Sequence, residues 1–249
     1  MTDSVTGLRR RDPADLAEPG GRAARAPGLV IAVDGPSGSG KSSAARGAAT
    51  ALGLRYLDTG AMYRAVTWWM LEHDVDLADA DAVAGHAKRL AIEISTDPGE
   101  QHVRVDGIDV TVPIRSRRVS NVVSLVAAVP LVRSNLIAQQ RAMIAVAVAT
   151  AGGIVAEGRD IGTVVAPDAV LKVFLTASEQ ARAERRAAEL SAAEPPSVDL
   201  TLAEQARRDL RDARQTQKAV DAVEIDATDL ALDDVIGRIV GLARARRGA

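Results

Sequence analysis

The sequence predicts an α/β fold: a central parallel sheet flanked by helices, with a small antiparallel and helical insertion and a helical lid. Three observations predict it. Continuous apolar, β-rich runs, the mark of strands buried on both faces, recur at residues 29–33, 54–57, 153–156, 170–175 and 222–225. Between them apolar side chains fall at helical spacing, as with Ala45, Ala48, Ala49 and Leu52 after the first run and Met62, Val66 and Trp69 after the second. Only residues 91–112 break the rhythm, with short β-like runs at 91–95 and 102–106 around a turn-rich stretch, and another run after Gly107.

Taken in order, residues 1–28 mix Arg, Asp, Ala, Gly and Pro without an apolar stretch and read as a disordered extension. Residues 29–90 form the first part of the core, in which Gly53 stops the first helix. Residues 91–150 form the insertion, whose two helical stretches break at Pro130. Residues 151–249 complete the core. Within them, arginine-studded helices at 178–190 and 202–217, joined by a linker at 191–199 that contains Pro195 and Pro196, make a mobile lid of about 180–217. Leu232, Val235, Ile236, Ile239 and Val240 mark a final amphipathic helix with acids in its first turn and arginines in its last.

Composition narrows the function. Of 249 residues, 31 are Lys or Arg and 33 Asp or Glu, a net charge of −2 that gives no global field for nucleic acid or an anionic membrane, so neither is expected as a partner. The five aromatic residues, Tyr56, Tyr63, Trp68, Trp69 and Phe174, are too few for a base-stacking platform. With no cysteine there is no disulfide or thiolate metal site, which fits a reducing compartment, and a cytoplasmic monomer is expected. The longest uncharged stretches, 119–132 and 142–156, are shorter than the roughly 20 residues that span a bilayer. His73, His86 and His102 are scattered without metal-ligand spacing.

Gly35-Pro36-Ser37-Gly38-Ser39-Gly40-Lys41-Ser42 satisfies GxxxxGKS between a buried strand and an amphipathic helix, the context that a phosphate-binding P-loop requires. Its glycines let backbone N–H groups wrap phosphate, and the helix N-terminus adds a positive dipole. Lys41 reaches the β- and γ-phosphates, the Ser42 hydroxyl binds Mg²⁺, and Ser43 extends the loop. No guanine-reading NKxD motif occurs. Residues 56–64, which include Asp58, Thr59, Tyr63 and Arg64, follow the second strand at the carboxyl edge of the sheet, where ligands bind in α/β folds. Glu157-Gly158-Arg159-Asp160 follows a later strand on the same edge, so two arginines face the place for a second phosphate. Taken alone, Asp58 and Thr59 equally suit a helix cap, Arg64 a solvated helix face, and 157–160 a turn.

The strings LVIAVDGPSGSGKSS, YLDTGAMYR, SLVAAVPLVR and EGRDIGTVVAPDAVLKVFLTAS together resemble the bacterial cytidylate kinases, CMP/dCMP kinases of the P-loop monophosphate kinase group, over residues 29–240. The resemblance implies a P-loop kinase fold that uses ATP and Mg²⁺. It implies that Arg64 and Arg159 hold the phosphate of CMP or dCMP, that Ser124, Arg133 and Asp160 read cytosine, and that Arg208 and Asp212 contact the ribose. Arg182, Arg185 and Arg186 match the arginines that close over the triphosphate, although an exposed basic helix face has the same pattern. The family commonly places an arginine three residues after the aspartate at 212; here that residue is Gln215, with Arg214 or Arg211 as substitutes and a shortened segment before the last strand. Two other classes fit the P-loop alone: another small-molecule kinase, of shikimate or gluconate type, and a nucleotide-dependent switch protein.

Overall fold

The computed structural model describes residues 28–190, 198–213 and 215–248. The predicted extension therefore lies outside the described residues, apart from Gly28. The first half of the chain runs β1 (Leu29–Asp34), α1 (Lys41–Leu52), β2 (Arg55–Asp58), α2 (Thr59–Glu72), α3 (Ala80–Ala87), β3 (Ile92–Ile94), β4 (Val103–Val105), β5 (Ile108–Asp109) and α4 (Arg117–Ala128). The second half runs α5 (Pro130–Ala151), β6 (Gly153–Gly158), β7 (Leu171–Thr176), α6 (Glu179–Leu190), α7 (Val198–Asp212), β8 (Val223–Asp226) and α8 (Leu232–Arg247).

Five strands form one parallel sheet in the order β2-β6-β1-β7-β8. Alternate side chains of β1 enter opposite layers, because successive residues of a strand point to opposite faces. Ala32 joins Leu57, Ile154 and Ala156 beneath α2 and α5, whereas Ile31 and Val33 join Val155 and Val173 beneath α1 and α8. The core is aliphatic, and its small alanines at 44, 45, 48 and 49 bring α1 close to the sheet. The second sheet, β3-β4-β5, is antiparallel and small, as the broken rhythm of 91–112 predicts. Helices α4 and α5 meet at Pro130 at an angle of 96°. Pro130 starts α5 because its missing N–H is one that a first helical turn leaves unpaired anyway. Helix α5 lies against β6 and β1 as well as against α4, so it joins the inserted residues to the core.

Several boundaries differ from the sequence reading. The predicted strands end at their last apolar residue, but pairing continues one or two residues further: Asp34 pairs with Gly158 and Asp58 with Glu157. Polar residues at the carboxyl edge thus belong to the sheet itself, which fixes their directions. The helix predicted at 202–217 runs from Val198 to Asp212. Its last carbonyl, that of Asp212, is satisfied by Gln215 N at 2.8 Å and Thr216 N at 2.9 Å, and also by the Thr216 hydroxyl at 3.0 Å. Helix α3 escaped the sequence reading although Asp79 caps it, accepting from the N–H groups of Asp81 and Ala82.

Candidate active site

At the carboxyl ends of β1, β2 and β6 the edge of the sheet presents three buried acids, Asp34, Asp58 and Glu157. The predicted phosphate loop leaves β1 immediately after Asp34. A Cβ on Gly35 would lie 2.1 Å from the Leu175 carbonyl oxygen at φ +149°, so the loop packs against β7 closely enough to require glycine there. Gly40, at φ 90°, turns the chain into α1, whose first residue is Lys41. Lys41 donates to the Pro36 carbonyl at 2.6 Å.

A cleft of about 560 Å³ opens over this edge. It is lined by Ser37, Gly38, Gly40, Lys41, Ser42 and Ser43 of the loop, by Asp58, Thr59, Tyr63 and Arg64 of the β2–α2 corner, and by Glu157, Arg159 and Asp160. Ser124 and Arg133 enter from α4 and α5, and Arg186, Arg208, Asp212 and Gln215 from the α6–α7 side. Residues predicted from five separate stretches therefore share one cavity.

The contacts inside the cleft are specific. Asp58 caps α2 by accepting from Ala61 N at 2.8 Å and also pairs with Arg64 at 2.8 Å, so it caps a helix and lines the cleft at once. Arg64 does not lie on a solvated helix face; its side chain is only 16% exposed. The Thr59 hydroxyl donates to the Glu157 carbonyl at 2.7 Å, tying the start of α2 to β6. Arg159 donates to the Gly35 carbonyl at 2.7 Å and pairs with Asp212 at 3.0 Å. Arg133 pairs with Asp160. Ser124 donates to Asp212 at 2.7 Å, and Arg208 donates to the Ser37 hydroxyl at 3.3 Å while lying 3.7 Å from Asp212.

Two predicted triphosphate residues point elsewhere. Arg182 donates to the Ser37 carbonyl at 3.0 Å and pairs with Asp209 at 2.6 Å; Arg185 donates to the Ala227 carbonyl at 2.6 Å and to that of Ser39 at 3.5 Å. Both brace the phosphate loop through its backbone and neither lines the cleft. The third, Arg186, lines it and donates to the Ser120 hydroxyl at 2.8 Å. Gln215 lines the cleft and donates to the Ala127 carbonyl at 3.4 Å; Arg211 is exposed and reaches the Asn121 carbonyl; Arg214 lies outside the described residues.

The sequence reading missed Arg115, Gln101 and Thr111, which line the cleft from the inserted segment. Arg115 reaches Asp58 at 3.4 Å beside Arg64. It also missed Tyr56, whose hydroxyl donates to Glu157 at 3.0 Å. A tyrosine in a buried strand needs a partner for its hydroxyl, which flags Tyr56 but does not identify Glu157, 101 residues away.

Electrostatics mark the cleft as a site for a polyanion. Burial, and after it the Arg159 guanidinium, pull Lys41 down to about 7. Burial and the same Arg159 lower Arg208 to about 9. Cations this close and this desolvated disfavour one another's charge, and an anion among them relieves both effects. Burial raises Glu157, with the Asp58 charge adding to it, while Lys41 and a hydrogen bond from Ser42 oppose the rise. Burial likewise raises Asp34 to about 6 despite its backbone hydrogen bonds to Gly162 and Ile161. Ser42 and Glu157 offer hard oxygen donors side by side at the loop. No group of three or more His, Cys, Asp or Glu side chains able to hold a metal occurs among the described residues. The pair fits Mg²⁺, which keeps several waters and takes phosphate oxygens, better than an ion that needs an all-protein cage.

The cytidylate kinase family matches residues 31–245. A cytidylate kinase from Streptomyces avermitilis is 48% identical over 230 residues, covering 92% of this chain and 98% of the relative. Another, from Streptomyces coelicolor, is 49% identical over 228 residues, with coverage of 91% and 97%. Among solved structures, a gluconokinase from Sinorhizobium meliloti 1021 is 17% identical with a TM-score of 0.47, covering 90% of this chain and 96% of that one. The residues that build the cleft fall inside the matched span, and the chain belongs to the cytidylate kinase family.

Proposed function

We propose that the protein transfers the γ-phosphoryl group of ATP to a 5′-phosphate oxygen of CMP or dCMP, giving ADP and CDP or dCDP. The observation that carries this reading is the convergence of Lys41, Arg64, Arg159 and Arg208 on one cleft that the polar set Ser124, Arg133 and Asp160 also lines. Two phosphate-bearing groups need the cations, and one base with donor and acceptor edges suits the polar set. In this reading the loop from Gly35 to Ser43 and Lys41 hold the triphosphate, and Arg186 meets it from the lid. Arg182 and Arg185 act indirectly, by holding the loop's carbonyls. Arg64, Arg115 and Arg159 hold the acceptor phosphate, and Arg208 and Asp212 the ribose. Residues 91–150 serve as the monophosphate-binding unit, and about 180–217 as the lid.

Ser42 and Glu157 would hold Mg²⁺, which when bound neutralises phosphate charge. The acceptor oxygen is already anionic, so no side chain has to remove a proton. Catalysis comes from alignment of the two phosphates and from cations fixed in place before the reaction begins. Arg159 suits that task because its contacts to Gly35 and Asp212 hold the guanidinium between the two nucleotide positions.

A coupled assay of ADP release with ATP, Mg²⁺ and each monophosphate in turn tests the reading. CMP and dCMP should be the best acceptors. Preferred turnover of a sugar or of shikimate, or nucleotide hydrolysis unaffected by any acceptor, would overturn it.

A further inference from the structure

Asp34 takes no part in the mechanism above, yet it is a carboxylate buried to 4% exposure beside the phosphate loop. Both its oxygens are used. Oδ1 accepts from Ile161 N at 2.8 Å and Oδ2 from Gly162 N at 2.7 Å. These amides open the single π-helical turn Ile161–Val165, whose capping position is Asp160. The first amides of such a turn have no partner within it, and an aspartate at the capping position ordinarily supplies one from its own side chain. Asp160 does not: it makes no side-chain cap, and its carboxylate pairs with Arg133 instead. Its backbone carbonyl accepts from Val164 N at 2.8 Å and Val165 N at 3.2 Å, so the turn is held from both sides.

We propose that Asp34 is a positioning residue for base recognition: it caps the Ile161–Val165 turn from the neighbouring strand and so leaves the Asp160 carboxylate to face Arg133 and the base. Two effects act together. Asp34 occupies the amides that would draw the Asp160 carboxylate back, and its negative charge lies close enough to Asp160 to oppose that return. The bond to Ile161 N also fixes the peptide plane after Asp160, and with it the backbone from which the Asp160 side chain leaves. The inference rests on the proposed base-reading role of Arg133 and Asp160.

The test compares kcat/KM for CMP with that for UMP at pH 8 in Asp34→Asn, Asp160→Asn and the double variant, with KM for ATP and the melting temperature measured alongside. The asparagine at 34 keeps one acceptor but turns an amide donor toward the other N–H. Asp34→Asn is expected to lower the CMP/UMP ratio at least about tenfold, to leave KM for ATP within about twofold, and to add nothing to Asp160→Asn in the double variant. A purely structural role would raise both KM values together. Gly162→Ala probes the same contact from the other side, since its Cβ would meet Asp34 Oδ2 at 3.3 Å and Lys172 Cδ at 3.1 Å. It should reproduce the loss of selectivity, and it decides the matter if Asp34→Asn does not fold. An unchanged ratio in Asp34→Asn beside a lowered one in Asp160→Asn overturns the role of Asp34 alone. An unchanged ratio in Asp160→Asn removes the base-reading assignment and this inference with it.

Discussion

Arg159 and Asp212 pair at 3.0 Å although one leaves the end of β6 and the other closes α7. The same guanidinium holds the Gly35 carbonyl, so a single side chain touches the phosphate loop and the last turn of α7. Replacing Arg159 with Ala removes a proposed phosphate contact and this tie together. Replacing Arg64 removes the contact while Arg115 remains on Asp58. Both variants should raise KM for CMP at least about tenfold, the effect of losing a charge-assisted hydrogen bond, and Arg159→Ala should also lower kcat the more. Steady-state kinetics with each substrate varied separately check the order, and equal kcat losses would count against the tie.

Lys41→Ala should abolish most transfer, by a factor of about 100 or more, while the protein keeps or gains thermal stability. The stability follows from electrostatics: burial and the neighbouring Arg159 and Arg208 disfavour the lysine's charge more than Glu157 and Asp34 favour it, so its removal forfeits little. A calorimetric melt and a single-turnover assay check both halves.

Nucleotide binding should take up protons. Lys41, at about 7 in the free protein, is largely neutral at pH 8, and a triphosphate beside it favours the cation and raises its pKa. Titration of ATP with Mg²⁺ at pH 8 in two buffers of different ionisation enthalpy should give an uptake approaching one proton. At pH 6, where the lysine is already charged, this uptake should vanish; identical heats in both buffers at pH 8 would contradict the assignment.

Gln215→Arg should tighten CMP binding. Gln215 lines the cleft three residues after Asp212, where the family pattern has an arginine. One added charge-assisted hydrogen bond contributes about 1.5 to 3 kcal/mol, roughly ten- to hundredfold in affinity. Arg211→Ala should change little, because that side chain is exposed and reaches a carbonyl of α4. Isothermal titration of CMP against both variants measures the difference.

The sheet and its phosphate loop were legible because each strand is a continuous apolar run and GxxxxGKS sits between strand and helix. Strand-end position brought Arg64, Arg159 and Asp160 to one edge, with a solvated face equally open for Arg64, whereas Arg133 joined them only through the resemblance. Arg115, Gln101 and Thr111 were not legible, because the inserted strands are only two or three residues long and give no period to count. Asp34 and Tyr56 were hidden for a different reason. Their partners lie 127 and 101 residues away, and nothing local distinguishes a strand-end acid that caps a remote turn from one that meets solvent. Arg182 and Arg185 show the converse: a basic helix pattern identifies which element meets the loop but not which guanidinium faces the cleft.

The fastening of α7 onto α4 has a thermodynamic consequence. Arg117 grips Glu204 at 2.6 Å, Ser124 meets Asp212, and Gln215 reaches Ala127, so α7 beside the GxxxxGKS loop and α4 beside the proposed acceptor position adhere directly. Ordering of one helix by a nucleotide is expected to order the other through these contacts. Linkage then makes the effect reciprocal: the factor by which ATP improves CMP binding must equal the factor by which CMP improves ATP binding. A partner-free mimic of either nucleotide should therefore bind more weakly alone than in the presence of the other. Arg117→Ala, which removes the Glu204 contact, should shrink that common factor.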